Sequence, residues 1–142
     1  MLTRPLTVPI VLLLLGLLPA CVPRPTQSYT IEQIPQIPSL KEVMRVQAGT
    51  MDPLFKKRGQ TSFTPAEFTT LAEAGRRIEA TSAAVRDKFA AGRPPGFATF
   101  AGQLNGQAAD LSAAAQAQDA AKTSAALRAM KETCRGCHKE FR

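Results

Sequence analysis

Residues 64–89 read TPAEFTTLAEAGRRIEATSAAVRDKF, and this stretch predicts the fold class. It opens with Thr64-Pro65-Ala66-Glu67, which combines a helix N-cap, a proline at the first helical position and a glutamate placed for a capping box. Its apolar and small residues then follow alternating steps of three and four: Phe68, Leu71, Gly75, Ile78, Ser82, Val85 and Phe89. This spacing is typical of an amphipathic helix packed in a bundle.

Two more helical patterns follow this stretch. Gly92–Gly96 interrupts the chain, and a third helix is predicted from about Phe97 to Ala115. A fourth begins near Asp119 and carries a seam at the same spacing: Ala120, Thr123, Leu127, Met130, Cys134, Cys137 and Phe141. The small residues of the third helix favour a close approach to its neighbours.

The helix that precedes the quoted stretch is predicted to begin after Ser39 as N-cap. Asp52-Pro53 is expected to kink or restart it, because proline lacks the backbone donor and crowds the preceding turn. A basic segment with a glycine, residues 56–59, ends the pattern. Because no segment shows strand alternation, we predict an all-α antiparallel up-down four-helix bundle over residues 39–142.

The N-terminal residues predict export. Residues 1–20 have the basic start and short apolar run of a bacterial signal peptide, and the run is too short to span a bilayer comfortably. Leu18-Pro19-Ala20-Cys21 resembles a lipobox, so we expect a lipid anchor at Cys21 and a periplasmic location, with the outer membrane favoured because Val22 follows. Cleavage nearby that leaves Cys21 as a free thiol stays open. Residues 21–38 are proline-rich and predict an extended tether.

The fourth helix carries Cys134-Arg135-Gly136-Cys137-His138, the C-x-x-C-H signature of covalent haem attachment. Two thiols three residues apart share a helix face, so both can add to the haem vinyl groups, and the adjacent imidazole can serve as axial ligand. A zinc site would need a fourth good ligand, and a thioredoxin-like motif would need strands. A disulfide within one turn would constrain little. We therefore predict haem c, one per chain.

The motif followed by Lys139-Glu140-Phe141-Arg142 resembles the cytochrome c′ family, whose signature C-x-x-C-H-x-x-[FY]-[RK] ends a four-helix bundle. The resemblance covers about Leu40 to Arg142 and is strongest in the fourth helix. It implies that Arg142 lies close to the haem on the side of His138; a surface role for Arg142 is the alternative. Relatives often pair, so a homodimer stays open.

The resemblance also implies that a residue of the first helix faces the other side of the iron. Methionine there gives a six-coordinate electron carrier, whereas an aliphatic residue leaves iron open to NO or CO. We predict Met44 as the second iron ligand beside His138, with Met51 or no protein ligand as alternatives. Relatives often carry an arginine four residues earlier, and aligning on Arg45 would instead place Gly49 at this position.

Charge and residue content narrow the function. The formal net charge is +7 at pH 7, and export argues against a nucleic-acid partner, so we expect an acidic redox partner protein. His138 is the chain's one histidine, and no acid pair is placed beside the motif, so we expect no enzyme and no catalytic residue. The leading prediction is a one-electron carrier; a gas-binding module and a haem-bearing subunit of a membrane complex are the alternatives.

Overall fold

The computed structural model describes residues 28–142, and every regular element within that range is helical. A short 3-10 helix comes first, and four α-helices follow: Ile31–Gln36 (3-10), α1 Leu40–Phe55, α2 Pro65–Phe89, α3 Pro95–Gln116 and α4 Ala120–Phe141. The prediction of an all-α four-helix bundle is confirmed. None of these helices combines the length and apolarity that a membrane span requires.

The starts of α1, α2 and α4 are where the sequence predicted them, and α3 begins at Pro95, two residues before the predicted start. Thr64 Oγ1 accepts a hydrogen bond from the Glu67 backbone N–H at 3.3 Å, and a Glu67 carboxylate oxygen accepts one from the Thr64 N–H at 2.8 Å. Ser39 caps α1 and Asp119 caps α4 in the same way, each accepting from a backbone N–H three residues later. Gly92 has a φ of +75° in the turn before α3. Local sequence signals therefore determine the boundaries of these helices.

The hydrogen bonds between α1 and α2 define their relative direction. Gln47 on α1 bonds Thr81, and Lys57, two residues beyond the end of α1, bonds Glu67. Residue numbers rise on one helix as they fall on the other, so the two helices are antiparallel. The same reversal holds between α2 and α3 and between α3 and α4. Short connections of this kind produce an up-down bundle.

Pro53 does not interrupt α1, so the helix does not restart after it as one of the two predicted outcomes required. The helix continues through it to Phe55. Pro53 lies in the last turn, where only one intrahelical hydrogen bond is lost, and the next two residues are both buried. Packing of Leu54 and Phe55 against the core thus keeps the helix intact past the proline.

The predicted extended tether, residues 21–38, is wrong for its described part. Residues 31–36 form the 3-10 helix, and the side chains of Ile34 and Ile37 are both fully buried. Lys88 Nζ donates to the carbonyl oxygens of Pro35 and Ile37, each at 2.9 Å, and fastens the segment to α2. The proposed signal peptide, residues 1–20, and Cys21 lie outside the described residues.

Candidate cofactor site

A cavity of about 900 Å³ lies within the bundle, and all four α-helices contribute to its wall. The α1 wall is a stripe at helical spacing: Met44, Gln47, Ala48, Met51, Asp52 and Phe55. Helices α2 and α3 add mainly apolar side chains, and α4 contributes most of its last two turns. Since α1 and α4 touch at few positions, the cavity fills the gap between them. Its volume is in the range of cofactor sites.

The predicted attachment residues all line this cavity. Cys134 and Cys137 are half-buried free thiols three residues apart on α4, and His138 is exposed beside them. Burial, the largest cause, raises the pKa of Cys134 to about 11, and burial also raises the pKa of Cys137. Both side chains are therefore protonated thiols at neutral pH.

The donor set of the cavity fits a covalently attached haem. Two thiols and an imidazole on one helix face border a space with aromatic and aliphatic walls, which a large apolar ring requires. Within residues 28–142, no group of three or more histidine, cysteine, aspartate or glutamate side chains is arranged to hold a bare metal ion. Cys134 and Cys137 would hold the haem by thioethers, and His138 would supply the axial imidazole.

The structure brings the predicted second ligand into the same cavity. Met44 lies half-buried in the α1 wall, one turn before Gln47, and Met51 lies one turn after it at 3% exposure. Gly49 is exposed and lies outside the cavity wall, and Arg45 pairs with Glu42 on the solvent side. The alignment on Arg45 therefore has no support in the geometry, whereas both methionines are within the wall.

Gln47 is a polar residue in the α1 wall of the cavity. Thr81 Oγ1 donates to the Ile78 carbonyl at 3.0 Å, so it must accept from the Gln47 amide nitrogen, 3.1 Å away. This arrangement fixes the orientation of the Gln47 side-chain amide. The side-chain oxygen of Gln47 is left without a bond to Thr81. Its position between the two methionines, four residues before Met51, is the only signal in the sequence that would have identified it.

Aromatic packing holds the end of α4 against α3. The Phe141 ring lies edge-on to Phe97 and Phe100, with centroids 5.5 and 6.1 Å apart. Gly136, inside the C-x-x-C-H motif, lets the Phe100 ring approach, because a Cβ there would be 2.9 Å from a ring carbon. Arg142 follows Phe141 and is exposed at the cavity border. The structure thus places all the predicted site residues around one cavity.

Comparison with known proteins adds one match. Residues 92–142 match the family model described as cytochrome C′, which covers α3, α4 and the C-x-x-C-H motif. No curated protein matches the chain.

Proposed function

We propose that this chain is a monohaem c-type cytochrome of the cytochrome c′ family and that it acts as a one-electron carrier with one haem c per chain, since residues 92–142 match the model of that family. A bound haem c supplies an iron that gains or loses one electron. Cys134 and Cys137 would hold the group covalently through thioethers. His138 would provide a nitrogen ligand to its iron.

The observation that carries the proposal is the position of Met44. Its thioether lies in the cavity wall on α1, whereas the cysteines and His138 lie on α4 across a gap that the two helices barely bridge. A second ligand from α1 would make the iron six-coordinate and raise its reduction potential, as methionine–histidine pairs do. Met51 is a core residue packed among buried neighbours, so Met44 is the freer of the two thioethers.

The proposal assigns no enzymatic activity and no catalytic residue.

The cell compartment that goes with the carrier function is the periplasm, with Cys21 as a membrane anchor. Mass spectrometry of the mature N-terminus tests this part, because an acylated Cys21 and a simple cleavage product differ in mass by the added lipid. A mature chain that begins beyond Cys21 would rule out the anchor.

Optical spectra of the reduced holoprotein test the carrier function. We expect a sharp low-spin α band that carbon monoxide leaves unchanged, because Met44 occupies the position that the gas would take. Met44→Leu should convert the spectrum to a broad high-spin form that shifts with carbon monoxide. Met51→Leu is the matched control and should keep the low-spin spectrum.

The outcomes separate the competing functions. A wild-type spectrum that is already high-spin and shifts with carbon monoxide contradicts the carrier and supports the gas-binding alternative. Conversion by Met51→Leu but not by Met44→Leu keeps the carrier and moves the ligand to Met51.

A further inference from the structure

The exposed edges of α4 carry charges of opposite sign. Along one edge, steps of four, four and three residues join a row of cations that we call the basic row: Lys131, Arg135, Lys139 and Arg142. The other edge carries Glu132 and Glu140 on either side of Gly136.

The contacts of α4 show where each edge faces. Lys131 Nζ lies 4.7 Å from the centroid of the Phe55 ring on α1, so the basic row runs along the α1 side. Glu140 faces α3, since a Cβ at Gly96 would lie 3.1 Å from its carboxylate. All four cations of the basic row line the cavity. The row therefore borders the gap through which the cavity opens.

The basic row is free to bind an external partner. The Arg135 side chain is 69% exposed, and its partner Glu132 is equally exposed, so this ion pair contributes little. The carboxylates among the described residues that line the cavity are Asp52 and Glu132. Lys139 and Arg142 are both exposed and form no salt bridge with a described residue.

We propose that the basic row is the docking surface for the acidic face of a redox partner protein, an inference that rests on the proposed electron-carrier function. The row extends about 16 Å along the helix at 1.5 Å per residue. That length suits a strip of carboxylates on a protein surface better than the two propionates at one edge of a haem. Docking there would bring the partner against the opening of the cavity, where electron exchange needs a short path.

Binding of poly-L-glutamate to the holoprotein, measured by isothermal titration calorimetry at low ionic strength, tests the docking surface. The variant Arg135→Glu/Lys139→Glu reverses two cations in the middle of the row. Lys41→Glu/Arg76→Glu makes the same charge change at exposed positions on α1 and α2 that do not line the cavity. We expect about tenfold weaker binding for the first variant and less than about a twofold change for the control. The reason is that the electrostatic attraction and the direct contacts with the polyanion act only near the substituted residues.

The rate of oxidation by ferricyanide, followed in the same variants, links docking to the redox site. The anionic reagent should react more slowly with Arg135→Glu/Lys139→Glu, and tris(phenanthroline)cobalt(III), a cationic oxidant, should not. Raising the ionic strength should remove the difference, since the Debye length falls to about 3 Å at 1 M salt. Circular dichroism and the optical spectrum establish that each variant is folded and carries haem.

Three results would overturn the docking surface. Equal weakening by both variants would mean that only the overall charge matters. Tight binding to phosphatidylglycerol vesicles with none to poly-L-glutamate would identify the row as a membrane surface. Unchanged polyanion binding together with a large shift of the reduction potential would mean that the cations of the basic row pair with the haem propionates instead. Failure of the carrier function is separate, because it appears as carbon monoxide binding in the wild type.

Discussion

Gly75 lies where α2 packs tightly against the backbone of α3. A Cβ at this position would lie 2.8 Å from the Ala108 carbonyl oxygen and 2.8 Å from the Ser112 backbone nitrogen. Both atoms belong to the backbone of a long helix, so neither can move without shifting α3 itself. Glycine is therefore required here by the distance between the helices, although it costs helix propensity.

We expect Gly75→Ala to lower the free energy of unfolding by about 1–3 kcal/mol, because overpacking between two helices forces them apart. Gly102→Ala on α3 is the matched control, since nothing lies within 4 Å of a Cβ there. It should leave stability unchanged or raise it by up to about 1 kcal/mol. Urea denaturation followed at 222 nm measures both, and a Gly75→Ala protein as stable as the wild type would contradict the packing argument.

The site residues differ in how far the sequence could predict them. Cys134, Cys137 and His138 belong to one local motif whose spacing alone implies their chemistry. Gln47 and Phe100 reach the cavity only through the packing of α1 and α3, which a single sequence does not encode in any short pattern. The motif could therefore be predicted, whereas most of the wall around it could not.

At the N-terminus of α2, the charge of one side chain affects the stability of the fold. The hydrogen bond from Lys57, the largest cause, and those from Thr64 lower the pKa of Glu67 to about 2 from an ordinary 4.5. Because the pKa of the Glu67 carboxyl is lower in the folded than in the unfolded chain, its ionised form stabilises the folded state at pH values above about 4.5. This stabilisation disappears as the pH falls from about 4.5 to 2. The same contacts also connect the end of α1 to the start of α2.

We expect Glu67→Gln to lower the urea midpoint at pH 7 and to lose that deficit as the pH approaches 2. The glutamine cannot ionise, so the stability difference from the wild type must shrink through this window. Glu73→Gln, at an exposed position of the same helix, serves as the control and should not reproduce the pattern. A deficit that stays constant from pH 7 to pH 2 would refute the assigned role of the carboxylate.

The helices were predicted correctly where the apolar residues repeat about every 3.6 positions. The prediction failed for the segment in which they repeat every third position. The seam of α2 and its capping box are both local patterns, and both are present in the structure. Ile31, Ile34 and Ile37 recur every third residue, which fits the three residues per turn of a 3-10 helix. Pro35 lies among them and favoured an extended interpretation. The burial of this segment depends on apolar side chains from α1, α2 and α3 that only the assembled bundle brings together.

At the scale of the whole molecule, the 3-10 helix supports one end of the cavity. Ile34 and Ile37 pack in one cluster with Val85, Phe97 and Ala101, and these last three also line the cavity. The segment is therefore part of the folded domain, and the boundary predicted at residue 39 lies too far along the chain. A domain prepared without these residues would expose the apolar side chains of that cluster to water.

The shared cluster predicts that Ile34→Ala destabilises the entire bundle. The expected loss is about 2–5 kcal/mol, because the side chain is fully buried and its removal leaves a cavity. Ile31→Ala, at a half-buried position of the same segment, should cost less. Urea unfolding of the holoprotein, followed by both far-ultraviolet circular dichroism and haem absorbance, should show one coincident transition at a lower midpoint. If the Ile34→Ala segment instead becomes sensitive to protease while both midpoints stay at the wild-type value, the 3-10 helix is an independent appendage and does not support the cavity.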